Sequence, residues 1–326
     1  MTGPRIVLTG ATGFIGSAAL RALAHDHERQ LPGRRTTHVR AVARHPDPGL
    51  AALADDVVQA DLTDPAGLHG LCDGADVLLH LAGTTSPDPD LCEQVNDRGT
   101  QALMAEARRA GVRRIVHLST AAVYGPGPHH GARVADLRPA PVSPASRTRL
   151  AAEAHALAAD ALVLRPGIVL GPGDRWVVPA LTRLVAAVPA LWDGGHGRHS
   201  LITSDELARL IGHLGHLPGP STATVLHASH PKPVTTRHLL GSLARHRLLL
   251  PVEHVLPWHQ CLRALAASGI SVSERQFSLL ALDHWYDSDE VWRLAACTPD
   301  PNPLKALPRA VPWYRAHLQV SEHRSH

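Results

Sequence analysis

The residues Arg5-Ile-Val-Leu-Thr9 run directly into Gly10-Ala-Thr-Gly13-Phe-Ile-Gly16. The first stretch predicts a short buried strand, and apolar residues recur at helical spacing over residues 14–23. Three glycines between a strand and a helix suit a phosphate group. The first permits a tight turn, the second lets the backbone approach a pyrophosphate, and the third lets the helix pack on the sheet. A purely structural turn does not require three glycines at this register. The loop therefore predicts a nucleotide site, with contacts expected from Gly10, Thr12, Gly13, Phe14 and Ile15.

Sequence patterns typical of strands and of helices alternate along the chain after this loop. Short apolar runs predict strands, and periodic apolar residues predict helices between them. The predicted strands cover residues 38–44, 57–60, 76–81, 114–118 and 162–165, and the predicted helices cover residues 96–110 and 149–159. Such alternation indicates a parallel sheet covered by helices on both faces, with ligands at the carboxyl ends of its strands. We therefore predict an α/β fold of the Rossmann type, a doubly wound parallel sheet.

The pattern changes after about residue 171, where proline and glycine become frequent. Residues 235–296 indicate helical segments that are broken near Pro251, Pro257 and Gly269. A chain of 326 residues has room for about two domains, at roughly 150 residues each. We predict a nucleotide-binding domain of residues 1–170 and a smaller substrate-binding domain of residues 171–326. Some segments of the second domain are expected to return to the sheet.

Composition excludes several classes of protein. Hydrophobic residues make up 44% of the chain and charged residues 19%, which fits a globular protein. The net charge of +3 is too small to indicate a nucleic-acid partner, and no apolar stretch approaches the roughly 20 residues of a membrane span. Four scattered cysteines without a CxxC pair, and no signal-peptide pattern, predict reduced thiols and a cytoplasmic location. The 24 histidines form no familiar ligand register, so we expect no metal site.

The end of the second strand bears on the type of nucleotide. That strand closes with Val42-Ala43-Arg44-His45 and carries no carboxylate there. An acidic residue would hold the ribose 2′-hydroxyl of NAD(H), whereas an arginine accommodates the 2′-phosphate of NADP(H). Arg44 therefore favours NADPH, with NADH as the alternative. The plainer interpretation of the same residue is a solvated surface arginine.

Several segments together resemble the extended short-chain dehydrogenases/reductases, the NAD-dependent epimerase/dehydratase group. The segments occur in family order and cover nearly the whole chain. They are Thr9-Gly-Ala-Thr-Gly-Phe-Ile-Gly16, Asp61-Leu62, His80-Leu-Ala-Gly83, Val95-Asn96 with Gly99-Thr100, Leu118-Ser-Thr-Ala-Ala-Val-Tyr-Gly125, Leu164-Arg-Pro-Gly-Ile-Val-Leu-Gly-Pro-Gly173, Thr203-Ser-Asp-Glu-Leu-Ala208 and Val311-Pro-Trp-Tyr314. The resemblance implies a doubly wound N-terminal domain that binds a nicotinamide dinucleotide and a C-terminal domain that binds substrate.

The same resemblance implies roles for individual residues along the cofactor. These are Asp61 with Leu62 at the adenine, Leu81, Ala82 and Gly83 along the dinucleotide, Arg149 at the nicotinamide ribose, and Pro166 and Ile168 beside the nicotinamide.

One departure from the family pattern concerns the proton donor. The family carries a Tyr-x-x-x-Lys pair, in which the tyrosine moves the substrate proton and the lysine lowers the tyrosine pKa and holds the ribose. Here the segment is Pro141-Val-Ser-Pro144-Ala145-Ser-Arg-Thr-Arg149, so Ala145 and Arg149 take those positions. The chain has three tyrosines and two lysines, and none of the five lies at the pair. Arg149 can still hold a ribose, but its guanidinium stays charged and cannot serve as a proton reservoir.

Hydride transfer still needs only a bound nicotinamide and an oriented carbonyl. Three proton sources stay open: a relay from water through Ser119 or Thr120, a histidine, or the substrate itself where a phenol neighbours its ketone. We favour the third source, with Thr120 and Ser119 as the catalytic residues that orient the ketone oxygen. Glu153 is expected to serve its helix rather than catalysis.

The expected substrate contacts are Tyr124 and Trp176. Tyr124 belongs to the Val-Tyr-Gly turn and does not replace the missing proton donor by motif. Trp176 follows the Gly-Pro-Gly-Asp loop, where a flat aromatic substrate would need an apolar wall. The plainer interpretation of such a tryptophan is a core residue.

These features are similar to those of atypical ketoreductases from aromatic polyketide pathways. They predict an NAD(P)H-dependent ketoreductase that reduces a ketone on an aromatic polyketide, as a monomer or a homodimer. Two alternatives stay open. A nucleotide-sugar epimerase or dehydratase must first oxidise a hydroxyl and needs the missing base. A nucleotide-sensing regulator without catalysis is favoured by the lost tyrosine and disfavoured by the retained Thr120.

Overall fold

The computed structural model describes residues 3–28, 37–270 and 272–323. The strands are β1 (Arg5–Thr9), β2 (His38–Ala43), β3 (Asp56–Gln59), β4 (Val77–His80), β5 (Arg114–Leu118), β6 (His129–Ala132), β7 (Leu162–Arg165), β8 (Ile168–Leu170), β9 (Leu191–Trp192), β10 (Arg198–His199), β11 (Leu201–Thr203), β12 (Thr224–His227), β13 (Val234–Thr235), β14 (Val255–Leu256) and β15 (His284–Tyr286).

The α-helices are α1 (Phe14–Glu28), α2 (Pro48–Ala51), α3 (Pro89–Cys92), α4 (Gly99–Arg109), α5 (Pro144–Leu157), α6 (Val177–Ala187), α7 (Ser204–Gly215), α8 (Thr236–Arg245), α9 (Trp258–Ser268), α10 (Glu274–Ala281), α11 (Asp289–Leu294) and α12 (Leu307–His323). A π-helical turn, Glu93–Arg98, joins α3 to α4. Within the described ranges, no helix combines the length and the apolar character needed to cross a membrane.

Seven parallel strands of the described chain form the central sheet, in the order β12-β7-β5-β4-β1-β2-β3. β1 lies between β2 and β4, and the strand order reverses there, which opens a crevice at the carboxyl ends of these strands. β4, β5 and β7 are buried along their whole length, as expected for a sheet covered on both faces. The Rossmann-type doubly wound sheet predicted from the sequence is confirmed.

Helices cover both faces of this sheet. α1 and α7 pack on one face, where Leu20, Leu23 and Ile211 are buried against it. α4 and α5 cover the other face, where Leu103 and Ala156 are buried. The two apolar layers hold the carboxyl edge of the sheet rigid, so loops at that edge project from a fixed base.

α5 begins five residues earlier than the sequence predicted. The Ser143 hydroxyl accepts a hydrogen bond from the Ser146 backbone N at 3.1 Å, and the Ser146 hydroxyl accepts one from the Ser143 backbone N at 3.0 Å. Pro144 stands in the first turn, where a helix does not need its N–H. This reciprocal cap starts the helix at Pro144. Ala145 and Arg149 consequently lie one turn apart on the same side of α5.

The C-terminal region builds a second apolar core, in which Trp192, Phe277 and Tyr314 are fully buried. β12 leaves that region and joins the main sheet beside β7. The expectation of helices alone over residues 235–296 was wrong, because β15 pairs there with β6 and β10. Its sequence, His284-Trp-Tyr286, has the aromatic content that suits a strand.

The close contact between α1 and the glycine loop gives a stability prediction. A Cβ on Gly16 would lie 2.0 Å from the Gly10 carbonyl oxygen, so Gly16→Ala must push the helix off the turn. We expect a loss of about 1–3 kcal/mol in the free energy of unfolding, the usual cost of overpacking. Gly241 lies inside α8 with nothing within 4 Å of an added Cβ. Gly241→Ala is the matched control and should gain about 0.5–1 kcal/mol. Urea unfolding measures both, and equal effects of the two variants would contradict the tight packing at Gly16.

Candidate active site

The glycine loop lies at the carboxyl end of β1, in the crevice of the sheet. Gly10 has a φ of +73°, and a Cβ there would lie 2.7 Å from the Ala82 backbone N. The left-handed backbone and the close approach both require glycine. The loop therefore lies directly against the chain that leaves β4.

The beginning of α1 is open to an anion. Thr12 and Gly13 are exposed, and Phe14 and Ile15 are half-buried. The first N–H groups of a helix have no acceptor within the helix, and the first turn of α1 carries no acidic side chain. A phosphate at this end would receive backbone hydrogen bonds and a favourable helix dipole. These residues fit the pyrophosphate of a nicotinamide dinucleotide.

The adenosine end of such a dinucleotide would lie beyond β2 and β3. Arg44 and His45 are exposed directly after β2, and the Gln59 amide donates to the Arg44 carbonyl at 3.1 Å. Asp61 accepts a hydrogen bond from the Thr63 backbone N at 2.9 Å. That bond holds the pKa of the Asp61 carboxyl below its usual value, with a smaller contribution from the Arg44 charge. Leu62 is half-buried next to Asp61. The region offers an exposed arginine and a carboxylate bound in a turn.

β4 ends on a buried histidine that supports the loop behind it. His80 Nδ1 lies 2.7 Å from Thr9 Oγ1, and its Nε2 lies 2.9 Å from Thr100 Oγ1. Burial lowers the pKa of His80 to about 3, so the ring is neutral near pH 7. Exposure then increases along the chain, because Leu81 is buried, Ala82 half-buried and Gly83 exposed. This segment forms the floor of the crevice.

Arg149 lies over that floor. A Cβ on Gly83 would lie 2.6 Å from Arg149 Nη2, so the guanidinium lies against the glycine. Arg149 Nη1 also donates to the Leu118 carbonyl at 3.1 Å, at the end of β5. Burial lowers the pKa of Arg149, but a guanidinium still stays charged at neutral pH. A fixed cation therefore lies between the ends of β4 and β5.

Ser119 and Thr120 follow β5 and differ in what their hydroxyls can do. Ser119 is buried, and its hydroxyl donates to the Glu153 carboxylate through a short hydrogen bond. The half-buried Thr120 accepts a hydrogen bond from the Ala122 backbone N at 3.1 Å, which leaves its own hydrogen out of that bond. Thr120 can therefore donate to a carbonyl oxygen, whereas the hydrogen of Ser119 is already bound.

A buried ion pair lies directly behind these two hydroxyls. Arg165 Nε and Nη2 donate to the two oxygens of Glu153 at 2.9 Å and 2.5 Å. The side chains are 6% and 2% exposed, so neither charge is hydrated by bulk water. The sequence interpretation of Glu153 as a helix residue missed this contact. The sequence did contain an indication of this ion pair, since Glu153 and Arg165 are charged residues in segments that are otherwise largely apolar.

The ion pair continues into a buried tyrosine. Arg165 Nη1 donates to the Tyr124 hydroxyl at 2.8 Å, and that hydroxyl lies 2.7 Å from His227 Nε2. His227 Nδ1 lies 3.0 Å from the Asp287 carbonyl oxygen, which can only accept. Nδ1 therefore carries the hydrogen and Nε2 accepts from Tyr124. Tyr124, a predicted substrate contact, is 2% exposed and its hydroxyl is bound on both sides.

A further polar side chain is Asn96, in the π-helical turn, which the sequence analysis quoted within a motif without giving it a role. Its Oδ1 accepts from the Thr84 backbone N at 2.8 Å, and its Nδ2 donates to the Thr84 carbonyl at 3.0 Å and to Thr148 Oγ1 at 3.0 Å. The amide fixes the chain just after Gly83. Turns of π-helix are frequent at functional sites, because the extra residue redirects a side chain.

The far wall of the crevice comes from the chain after β7. The Ala121 backbone N donates to the buried Pro166 carbonyl at 2.8 Å, and β8 begins at the half-buried Ile168. The same segment then passes Gly173, where an added Cβ would lie 2.9 Å from the Phe14 ring. Trp176 follows and is 63% exposed, so the interpretation of Trp176 as a core residue was wrong.

The residues predicted for the cofactor follow β1, β2, β3, β4 and β7 at the carboxyl edge of the sheet, or, for Arg149, lie on α5 against that edge. Ala145 leaves no titratable group at the position expected for the tyrosine. In the ranges that the structure describes, no three His, Cys, Asp or Glu side chains are grouped so that they could hold a metal ion.

The model of the NAD dependent epimerase/dehydratase family matches residues 6–216. The chain belongs to this family. Among its curated relatives, the ceramide reductase of Caulobacter vibrioides is 34% identical over 191 residues, which cover 57% of this chain and 52% of the relative. A second family member, the 4-hydroxy-2-methyl-3-oxo-4-farnesyl-3,4-dihydroquinoline-1-oxide ketoreductase of Stigmatella aurantiaca, is 29% identical, over 59% of this chain and 58% of that protein. The chain thus spans about half the length of these relatives.

A solved structure of the same fold is MoeE5 in complex with UDP-glucose and NAD. It superposes with a TM-score of 0.69 at 24% identity, over 97% of this chain and 100% of that chain. The similarity extends beyond residue 216 and thus beyond the part that the family model matches.

The buried ion pair gives a second prediction. Glu153→Leu leaves the Arg165 guanidinium buried without a counter-charge, and we expect a loss of about 3–5 kcal/mol in the free energy of unfolding. The double variant Glu153→Leu with Arg165→Met removes both charges and should recover part of that loss. The control is Glu93→Ala, which removes the exposed partner of Arg98 and should cost less than about 0.5 kcal/mol. Urea unfolding of the four proteins decides, and a double variant less stable than Glu153→Leu would contradict this account.

Proposed function

We propose that this protein is an NADPH-dependent ketoreductase that reduces a ketone on an aromatic polyketide, with the C7 carbonyl of an angucyclinone as the proposed substrate. The observation that carries the proposal is the glycine loop and the Arg149 guanidinium at the carboxyl edge of the sheet, together with Ala145 where the family's tyrosine is expected. Oxidation of an alcohol needs a base at that place. Reduction of a ketone can proceed without one when the substrate brings its own acidic hydrogen, as a ketone beside a phenol does.

Membership of the family and the reductases among the relatives support an NAD(P)-dependent oxidoreductase. The Stigmatella relative is named a ketoreductase, which supports the reaction class. With Ala145 and Arg149 in place of the family's tyrosine and lysine, the chain also resembles the angucyclinone 7-ketoreductase of simocyclinone biosynthesis. That resemblance leads us to propose a role in the biosynthesis of an antibiotic.

A bound NADPH would supply the hydride. Arg149 of α5, whose guanidinium donates to the Leu118 carbonyl at the end of β5, would hold the nicotinamide ribose. Thr120 would donate a hydrogen bond to the ketone oxygen and orient the carbonyl. We propose that a neighbouring phenol of the substrate gives the oxygen its proton as the carbon–hydrogen bond forms, and that water restores the phenol.

Ser119 is a poor source of that proton. Its hydrogen is bound to Glu153, and both oxygens of Glu153 already accept from Arg165. A relay through Ser119 would therefore have to draw a proton from an ion-paired carboxylate. Thr120 with the substrate phenol, or Thr120 with water, requires no such step, and this disfavours Ser119 as the source.

Two other functions were open from the sequence. A nucleotide-sugar epimerase or dehydratase is consistent with the fold of MoeE5, but its oxidation step needs a base that Ala145 does not offer. A cofactor-sensing regulator needs no catalysis. It would not need a Thr120 hydroxyl that is fixed by the Ala122 backbone N and can still donate its hydrogen to a ligand. A panel of phenolic quinones with NADPH separates the ketoreductase from both alternatives, because only the ketoreductase oxidises NADPH with a member of the panel.

We further propose that the protein acts in the cytoplasm on a small aromatic molecule, as a monomer or a homodimer, without a nucleic-acid or membrane partner.

The cofactor preference is tested at Arg44. Arg44→Ala removes the cation proposed for the 2′-phosphate, and we expect NADPH affinity to fall about tenfold or more while NADH affinity stays within about twofold. Arg108→Ala is the control, because Arg108 is an exposed arginine in the last turn of α4, away from the carboxyl edge. Titration calorimetry measures the affinities of the unaltered protein and the two variants for NADPH and for NADH. Equal affinity of the unaltered protein for NADH and NADPH would contradict the preference.

The catalytic roles are tested at Thr120 and Ser119. Thr120→Val should lower kcat about 10- to 100-fold, and Ser119→Ala should lower it less, since Ser119 donates to Glu153 rather than to the ligand. Thr182→Val, which removes a hydroxyl bound within α6, serves as the control and should leave kcat unchanged. If the double variant lost all turnover while binding both ligands, a relay through these side chains would replace the substrate as the proton source.

A further inference from the structure

The segment of residues 171–176 joins β8 to α6 without a helix or strand of its own and passes the start of α1. It follows β8 and precedes α6, and Gly173, with a φ of +105°, brings it against the Phe14 ring. Phe14 is the first residue of α1, at the end that fits the pyrophosphate. The position of this segment therefore determines how closely the chain encloses a pyrophosphate bound at the start of α1.

A buried carboxylate holds the C-terminal end of the segment. Asp174 is 2% exposed and accepts hydrogen bonds from three backbone N–H groups, those of Trp176 at 2.9 Å, Val177 at 2.8 Å and Val178 at 3.1 Å. Burial raises the pKa of Asp174 above its usual value, against the effect of these donors. The carboxylate thus ties the segment to the first turn of α6.

The third contact comes from a distant part of the chain. Tyr314, in α12, is fully buried, and its hydroxyl donates to Asp174 Oδ2 at 3.0 Å. The same hydroxyl accepts from the Gly171 backbone N at 2.9 Å. The Tyr314 phenol therefore bonds two residues of the segment, Gly171 and Asp174, although Tyr314 lies 140 residues from Asp174 in sequence. In the second apolar core, the ring itself is held by packing.

We propose that α12 is a working part of the dinucleotide site, and that Tyr314 is the positioning residue that fixes residues 171–176 across Phe14. The inference rests on the proposed use of a nicotinamide dinucleotide. Tyr314 does not touch the ligand. It acts through Asp174 and Gly171, so that its loss frees the segment and weakens the hold on the dinucleotide.

Tyr314→Phe tests the proposal, because it deletes only the hydroxyl. In the protein without ligand, hydrogen exchange of the backbone amides of Gly171, Trp176, Val177 and Val178 should become about tenfold faster or more, the order expected when a buried hydrogen bond is lost. Calorimetry should show NADPH binding about tenfold weaker, and the KM for NADPH should rise while kcat stays within about twofold. Asp174→Asn, with the same side-chain shape, should move exchange and affinity in the same direction.

Tyr286→Phe is the matched control. Tyr286 is also buried, and its hydroxyl lies 3.1 Å from His129 Nδ1, away from this segment. It should leave exchange at residues 171–178 and NADPH affinity unchanged, at a similar cost in thermal stability. Equal weakening of NADPH binding by Tyr314→Phe and Tyr286→Phe would overturn the proposal, as would unchanged exchange in Tyr314→Phe. An unaltered protein that binds neither NADPH nor NADH would instead contradict the proposed function, and exchange would still show whether Tyr314 holds the segment.

Discussion

The ion pair of Glu153 with Arg165 is the interaction on which the site depends. α5 supplies the carboxylate, β7 ends on the guanidinium, and Ser119 at the end of β5 donates to the same carboxylate. Two buried charges are costly unless each is fully paired, so any shift of one element against the others leaves a charge without its partner. The pair therefore fixes α5 in register with two strands of the sheet. Through Tyr124 and His227 the same network extends to β12.

Fixing α5 also fixes what the site can do. Arg149 lies one turn before Glu153 and reaches the end of β5, and Thr120 follows directly on Ser119. A permanent cation and a hydroxyl with an unused hydrogen are thereby held at one edge of the sheet. Ala145 lies one turn before Arg149 and adds no titratable group. The arrangement can bind and orient a dinucleotide and a carbonyl, and it leaves the proton to the substrate or to water.

Much of the fold could be predicted from the sequence because local signals decide it. The strands Arg5–Thr9, Arg114–Leu118 and Leu162–Arg165 were predicted to the residue, since each is an apolar run bounded by glycine, proline or polar residues. The start of α5 was missed because its cap lies in Ser143 and Ser146, in front of the apolar pattern. β15 was missed because three residues form a strand only when β6 and β10 supply the pairing.

The site was predictable to a different degree. The glycine loop carries its own backbone requirement, so Gly10 and Gly13 were assigned from the sequence alone. The partners of Ser119, Tyr124 and Asp174 could not be assigned, because Glu153, His227 and Tyr314 lie 34, 103 and 140 residues away from them in the chain. Tertiary packing alone brings such pairs together. The sequence shows that Ala145 replaces the family's tyrosine. Which neighbouring side chain can still donate a hydrogen bond to a substrate depends on the hydrogen bonds of Ser119 and Thr120, and these are known only from the structure.

The most direct test of the central claim is the rate of hydride transfer in a single turnover, with a phenolic ketone compared with its O-methyl ether at saturating NADPH. Methylation removes the acidic hydrogen beside the carbonyl and leaves the ring system in place. If the substrate supplies the proton, the ether should react about 100-fold more slowly or worse, the usual contribution of general acid catalysis, while still binding in the crevice. Equal rates for the phenol and the bound ether would show that the substrate phenol is not the proton source and would contradict the account.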